Sequence, residues 1–162
     1  MRHLFTLILL VVTSFSFAQG RFPSSQLSIN GFRNPSVGIE YQRNKLSLHA
    51  GYYPTNFEKN VTTEFIKIGI TEWFLPFGKK EMPSSFYSGV SYLRGLTRAY
   101  KSTNSLGLET GVRWYVWKGL NFRLGVIALV SKDKEARINP TPSLSYTLKL
   151  GSKKKKTNSK FP

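Results

Sequence analysis

Three observations predict an all-β fold, an antiparallel up-and-down barrel of eight strands. Apolar residues recur at every second position along almost all of the chain after residue 25. Helical periodicity is hard to find over the same stretch. The alternating segments number eight, run to about ten residues each, and are separated by runs rich in Gly, Pro, Asn, Thr and Lys.

The first residues lie outside this pattern. Met1, Arg2 and His3 make a cationic start, residues 4–12 are apolar, and Ser16 and Ala18 are small residues suited to a peptidase. This combination predicts a cleavable secretory signal peptide over residues 1–18, cut between Ala18 and Gln19. The chain has no cysteine, which excludes disulfides, thiolate metal sites and a lipidated cysteine anchor. Lys+Arg outnumber Asp+Glu by 24 to 8, a net charge of +16, and five lysines crowd a tail at 152–162 that is predicted to be disordered. Such a balance points to anionic lipid or glycan, because export argues against nucleic acid. After residue 18 no stretch approaches the ~20 apolar residues of a membrane helix, so a membrane crossing would have to be made by strands. One barrel domain is therefore expected over residues 19–151.

The expected strands are residues 26–32, 36–42, 45–53, 64–75, 85–94, 105–117, 120–130 and 142–150. Counted from a periplasmic N-terminus, the second, fourth and sixth connections should be short turns and the others outer loops. Arg43-Asn44 and Lys118-Gly119 fit as the second and sixth, and Gly119 supplies the positive φ of a tight hairpin. Residues 54–63, 95–104 and 131–141 are expected as outer loops. The first connection, Arg33-Asn34-Pro35, is short for an outer loop, and the fourth, 76–84, is long for an inner turn.

Each strand separates an apolar from a polar face. In the sixth, Leu106, Leu108, Val112, Trp114 and Val116 oppose Gly107, Glu109, Gly111, Arg113, Tyr115 and Trp117. The seventh sets Phe122, Leu124 and Val126 against Asn121, Arg123 and Gly125, and the eighth sets Leu144, Tyr146 and Leu148 against Ser143, Ser145 and Thr147. The polar face mixes glycine and serine with long charged residues. A water-facing wall would favour Thr, Lys, Glu and Gln, whereas a narrow eight-stranded interior needs tiny residues where long ones cross. The polar face is therefore expected inside and the apolar face toward lipid. Aromatics such as Tyr41, Tyr53, Trp73, Tyr87, Trp114, Tyr115 and Trp117 fall toward strand ends, as interfacial girdles would. Glu72 is the exception, sharing parity with Ile66, Ile68 and Ile70; a bulge or a place near the inner girdle would relieve it.

In its eight-strand pattern over residues 19–151, its tight inner turns and a last strand with Tyr146, Leu148 and Leu150 facing one way, the chain resembles small outer-membrane β-barrel proteins of the OmpA transmembrane-domain and OmpX type. The resemblance implies a bacterial outer-membrane location, insertion by the barrel-assembly machinery and contact with outer-membrane lipid. It also implies a structural, surface-interaction or envelope-maintenance role, with no cofactor.

Glu40, Lys67, Glu109, Arg113, Arg123 and Lys149 are expected to form a paired charge network plugging the lumen, since isolated buried ions are costly. Ser47 and His49 share one strand face and, with Glu40 or Glu109 as the acid, would be the residues of a membrane-embedded enzyme of the lipid A deacylase or acyltransferase type. Arg98, Lys101, Lys132, Lys134 and Arg137 in the outer loops offer charge-assisted contacts to lipopolysaccharide phosphates, or simply a solvated surface. A metal-ligand cluster and a nucleic-acid motif are both missing from the sequence. A soluble lipocalin-like carrier stays open as well, because inverting inside and outside preserves the alternation.

Overall fold

The computed structural model describes residues 22–31, 37–58, 61–78 and 81–150. The expected signal peptide at 1–18, the first connection at 33–35 and the lysine-rich tail at 152–162 lie outside the described residues. The described residues form nine strands: β1 Gln26–Gly31, β2 Val37–Arg43, β3 Leu46–Glu58, β4 Val61–Phe77, β5 Ser84–Gly95, β6 Asn104–Trp117, β7 Leu120–Ser131, β8 Arg137–Pro140 and β9 Ser143–Lys149.

Each strand pairs antiparallel with its neighbour in sequence from β1 to β7, and β1 also pairs with β9. Closure comes at β7, which pairs with β9 through Leu120↔Tyr146 to Arg123↔Ser143, and with β8 through Val126↔Pro140 to Leu129↔Arg137. Eight strands thus join in a ring compatible with a β-barrel, and β8 continues the line of β9 after a break. Pro140 and Pro142 flank that break and cannot donate a ladder hydrogen bond, while the Thr141 amide still reaches the Gly125 carbonyl at 2.8 Å.

The connections sort to two ends. The turn end carries Asn44-Lys45, residues 78 and 81–83, and Lys118-Gly119; the loop end carries the paired ends of β3 and β4 at Glu58 and Val61, residues 96–103 and residues 132–136. Asn44 has φ 53° and Gly119 φ 98°, the left-handed values such turns need. At Gly119 the Thr147 carbonyl occupies the space a side chain would take, so glycine is required there twice over.

Two expected loops turn out to be largely strand. Residues 54–63 continue β3 and β4 in pairing up to Glu58↔Val61. Pro54 lies within this pairing, opposite Glu64. Residues 137–140 of the expected loop 131–141 form β8. The loop at 95–104 holds a 3-10 turn, Arg98–Tyr100, that tucks Tyr100 into the ring mouth.

Alternation puts the apolar face outside. Ile39 is 60 % exposed and Ile68 57 %, whereas Glu40 is 1 % exposed and Arg113 fully buried. The interior is layered. Toward the loop end, Tyr53, Phe65, Leu93, Tyr100, Ile127 and Leu129 form an apolar plug. The middle is ionic, and toward the turn end lie Trp73, Tyr115, Gln26 and Gln42. The aromatics expected in girdles divide: Trp114 and Tyr41 face outward by parity, while Tyr53, Trp73, Tyr87 and Tyr115 are buried inside. Trp117, expected on the inward face with Tyr115, is exposed instead, because the β6–β7 register shifts between the two. An inward ring needs space, and Gly111 and Gly125, paired across β6 and β7, provide it under the Tyr87 hydroxyl.

Glu72 is not at a bulge. The register from Phe65 to Phe74 against β5 is unbroken, and the irregularity comes later, between Phe74 and Phe77, with Leu75 at φ 44°. Glu72 pairs with Leu46, the first residue of β3, and so faces outward at the turn-end rim.

Candidate functional site in the ring interior

The ionic layer is built by parity: Glu40, His49, Lys67, Glu109 and Arg123 each occupy an inward position of a different strand. The ammonium of Lys67 on β4 meets the Glu109 carboxylate on β6 at 2.5 Å, spanning β5. The Arg123 guanidinium on β7 reaches across the ring to the Glu40 carboxylate on β2 at 2.6 Å. Neither pair joins neighbouring strands, so both tie the wall across its interior.

A hydrogen-bonded chain extends from the first pair toward β3. The Ser91 hydroxyl donates to Glu109 Oε1 at 2.7 Å, which leaves its oxygen to accept from His49 Nε2 at 3.1 Å. His49 Nδ1 then accepts from the Thr71 hydroxyl at 3.3 Å. His49 and Ser91 lie on β3 and β5 in the same row, with Gly69 of β4 between them. A Cβ at Gly69 would stand 2.8 Å from His49 Nε2, so the contact exists only because that position has no side chain.

Arg113 is held differently. Its guanidinium carbon stacks 3.6 Å from the centre of the Trp73 indole, and Nη1 donates to Gln42 Oε1 at 2.8 Å. The indole N–H donates to Ser47 Oγ at 2.9 Å, and the Tyr115 hydroxyl donates to Gln26 Oε1 at 3.0 Å. The cavity bounded by Glu40, His49, Lys67, Glu109, Arg123 and Thr141 measures about 20 Å³, room for about one water. Removing one partner of a buried ion pair leaves a stranded charge and costs about 3–5 kcal/mol, so these contacts lock the interior shut more than they add stability outright.

Five of the six residues expected in the lumen network are inside. Lys149 is the correction: it has inward parity but lies at the last position of β9, beyond the ring wall, where its exposed ammonium pairs with Glu81 at 3.1 Å. Ser47 and His49 share a face as expected, yet they do not form a nucleophilic pair. The Ser47 hydroxyl donates to the Thr71 carbonyl at 3.4 Å and accepts from Trp73. The serine that touches His49 is Ser91, and its proton goes to Glu109, whereas nucleophilic activation requires the histidine to take it. Trp73, Thr71 and Gln42 were not among the residues expected in the network, although each shares the parity of Lys67 or Glu40 on its own strand; Ser91, on β5, is brought in by its place opposite Gly69.

The loop cations gather at one end. Arg98, Lys101 and Lys132 are exposed, Arg137 pairs loosely with Glu135 at 3.8 Å, and the Lys134 ammonium lies 4.7 Å from the centre of the Tyr100 ring.

No family model matches the chain, and no curated protein or solved structure matches it either. The fold and the interior chemistry carry the functional reading by themselves.

Proposed function

We propose that this chain is an eight-stranded transmembrane β-barrel of the bacterial outer membrane, with the general architecture of the OmpA transmembrane domain and OmpX, and that its role is structural, surface-interacting or envelope-maintaining and not enzymatic. One observation carries the reading: exposed apolar side chains encircle the ring while ions fill its interior. Ile39, Leu48, Ile68, Val90, Leu108, Val126 and Leu144 cover β2 to β7 and β9 in turn, and all are exposed. Soluble monomers rarely expose contiguous apolar patches beyond a few hundred Å², and a belt around a whole ring matches the lipid-facing band of a membrane barrel. Ring closure supports the same reading, because hydrocarbon tolerates no open sheet edge.

A lipocalin-like carrier would reverse the faces and keep an apolar hollow for its ligand. Here the middle of the interior is ionic and nearly filled, and packed apolar side chains plug its loop end, with no hollow for a ligand among the described residues. In the proposed orientation the turn end faces the periplasm, with the start of β1 and the end of β9. Arg98, Lys101 and Lys132 then lie at the outer leaflet, within reach of lipopolysaccharide phosphates.

Cell fractionation with a heat-modifiability gel tests the proposal. The chain is expected in detergent-extracted outer membrane and should change mobility on boiling. Release into buffer without detergent, with identical mobility before and after boiling, would overturn it.

A further inference from the structure

At the turn end, the outer face carries a groove of about 700 Å³ beside the Asn44-Lys45 turn. Leu46, Leu48 and Ile70 form its apolar floor, and Arg43 and Lys45 stand at its lip. Phe22 and Tyr41 close one side, where the Tyr41 hydroxyl accepts a hydrogen bond from Ser25 at 2.9 Å. Glu72 flanks the floor from β4, in the same outward row as Leu46 and Arg43. Among the described residues, Arg43, Lys45 and Glu72 take part in no ion pair. Two cations and one carboxylate therefore surround an apolar slot on a face otherwise rich in aliphatic and aromatic side chains.

We propose that this groove binds one aminophospholipid: Arg43 and Lys45 hold its phosphate, Glu72 accepts hydrogen bonds from its primary ammonium, and one acyl chain lies over Leu46, Leu48 and Ile70. The inference rests on the membrane reading above. A guanidinium and an ammonium at a half-exposed lip are suited to a lipid phosphate, which offers several acceptor oxygens. Glu72 then decides between headgroups. A purely anionic headgroup meets an uncompensated carboxylate, and a trimethylammonium has no N–H to donate to it. A primary ammonium satisfies it with up to three donors. The same arrangement accounts for a charged residue directly after the outward run of Ile66, Ile68 and Ile70.

The test uses the full chain, folded into phosphatidylcholine vesicles doped with either phosphatidylethanolamine or phosphatidylglycerol, extracted in mild detergent and weighed intact by native mass spectrometry. Phosphatidylethanolamine should be retained in preference to the other two lipids. The double change Arg43→Gln/Lys45→Gln should lower its retention about tenfold, the loss expected from one or two charge-assisted hydrogen bonds at an exposed rim. Glu72→Gln should erase the preference for phosphatidylethanolamine over phosphatidylcholine, and Lys118→Gln, beside the sixth connection of the same rim, should change nothing. Each variant is checked for folding by its heat-modifiable mobility. A chain that folds into the vesicles but retains the three lipids equally, or prefers phosphatidylglycerol, or keeps its preference in the variants, overturns the lipid site and leaves the barrel standing. A chain that enters no vesicle overturns both.

Discussion

Arg113 and Arg123 stand directly opposite each other on β6 and β7, and both guanidinium groups face the same indole, that of Trp73, at 3.6 and 4.9 Å from its centre. Like charges placed opposite on adjacent strands repel, and among the described residues Glu40 is the one carboxylate in salt-bridge contact with either. The Trp73 π face takes up part of the remaining positive charge, an interaction that strengthens when water is excluded.

Trp73→Leu removes that face and leaves a void between two buried cations. The expected loss is about 3–5 kcal/mol in a urea unfolding series. Planar-bilayer recording of the same variant should show no sustained channel, because an eight-stranded interior is filled by its own side chains. A stable open conductance would contradict the packed-interior account.

The Glu40–Arg123 pair is best resolved by a double-mutant cycle. Glu40→Gln leaves Arg123 buried without its carboxylate and should cost about 3–5 kcal/mol. Adding Arg123→Met to that variant should recover a large part of the loss, since the stranded charge goes with it. Two costs that simply add would mean the pair is not coupled as the 2.6 Å contact implies.

His49 is assigned a structural part. His49→Ala takes the acceptor from the Thr71 hydroxyl and the donor from the Ser91 oxygen, and should lower stability by about 1–3 kcal/mol. Mass spectrometry of lipid A from cells carrying the variant should show the same acylation pattern as cells carrying the parent chain. An altered pattern would reinstate catalysis at this histidine.

The wall was more legible in the sequence than the contacts inside it. Period-two alternation is a local property, so it correctly sent Glu40, Lys67, Glu109, Arg113 and Arg123 inward before any pairing was known. Which carboxylate meets which cation is set by contacts across the ring, 83 residues apart for Glu40 and Arg123, and no local pattern encodes them. Parity also says nothing about height along a strand. Lys149 has the inward parity of Ser145 and Thr147, but it sits past the wall and turns to Glu81. Tyr115 and Trp73 show the reverse error, in which aromatic identity suggested a girdle although parity placed them inside. Prolines misled in one further way: Pro54 and Pro140 read as loop markers, yet each sits in a strand, opposite Glu64 and Val126.

The central claim is that the apolar outer face meets lipid and the ionic face does not, and the chain's own tryptophans report on it. Trp114 is 59 % exposed on the outer face and Trp73 is fully buried inside. Single-tryptophan variants retaining one or the other, reconstituted in vesicles with brominated acyl chains, can be compared by fluorescence quenching. Strong quenching of Trp114 beside an unquenched Trp73 is the predicted result; equal quenching of the two, or quenching of Trp73 alone, would contradict the account.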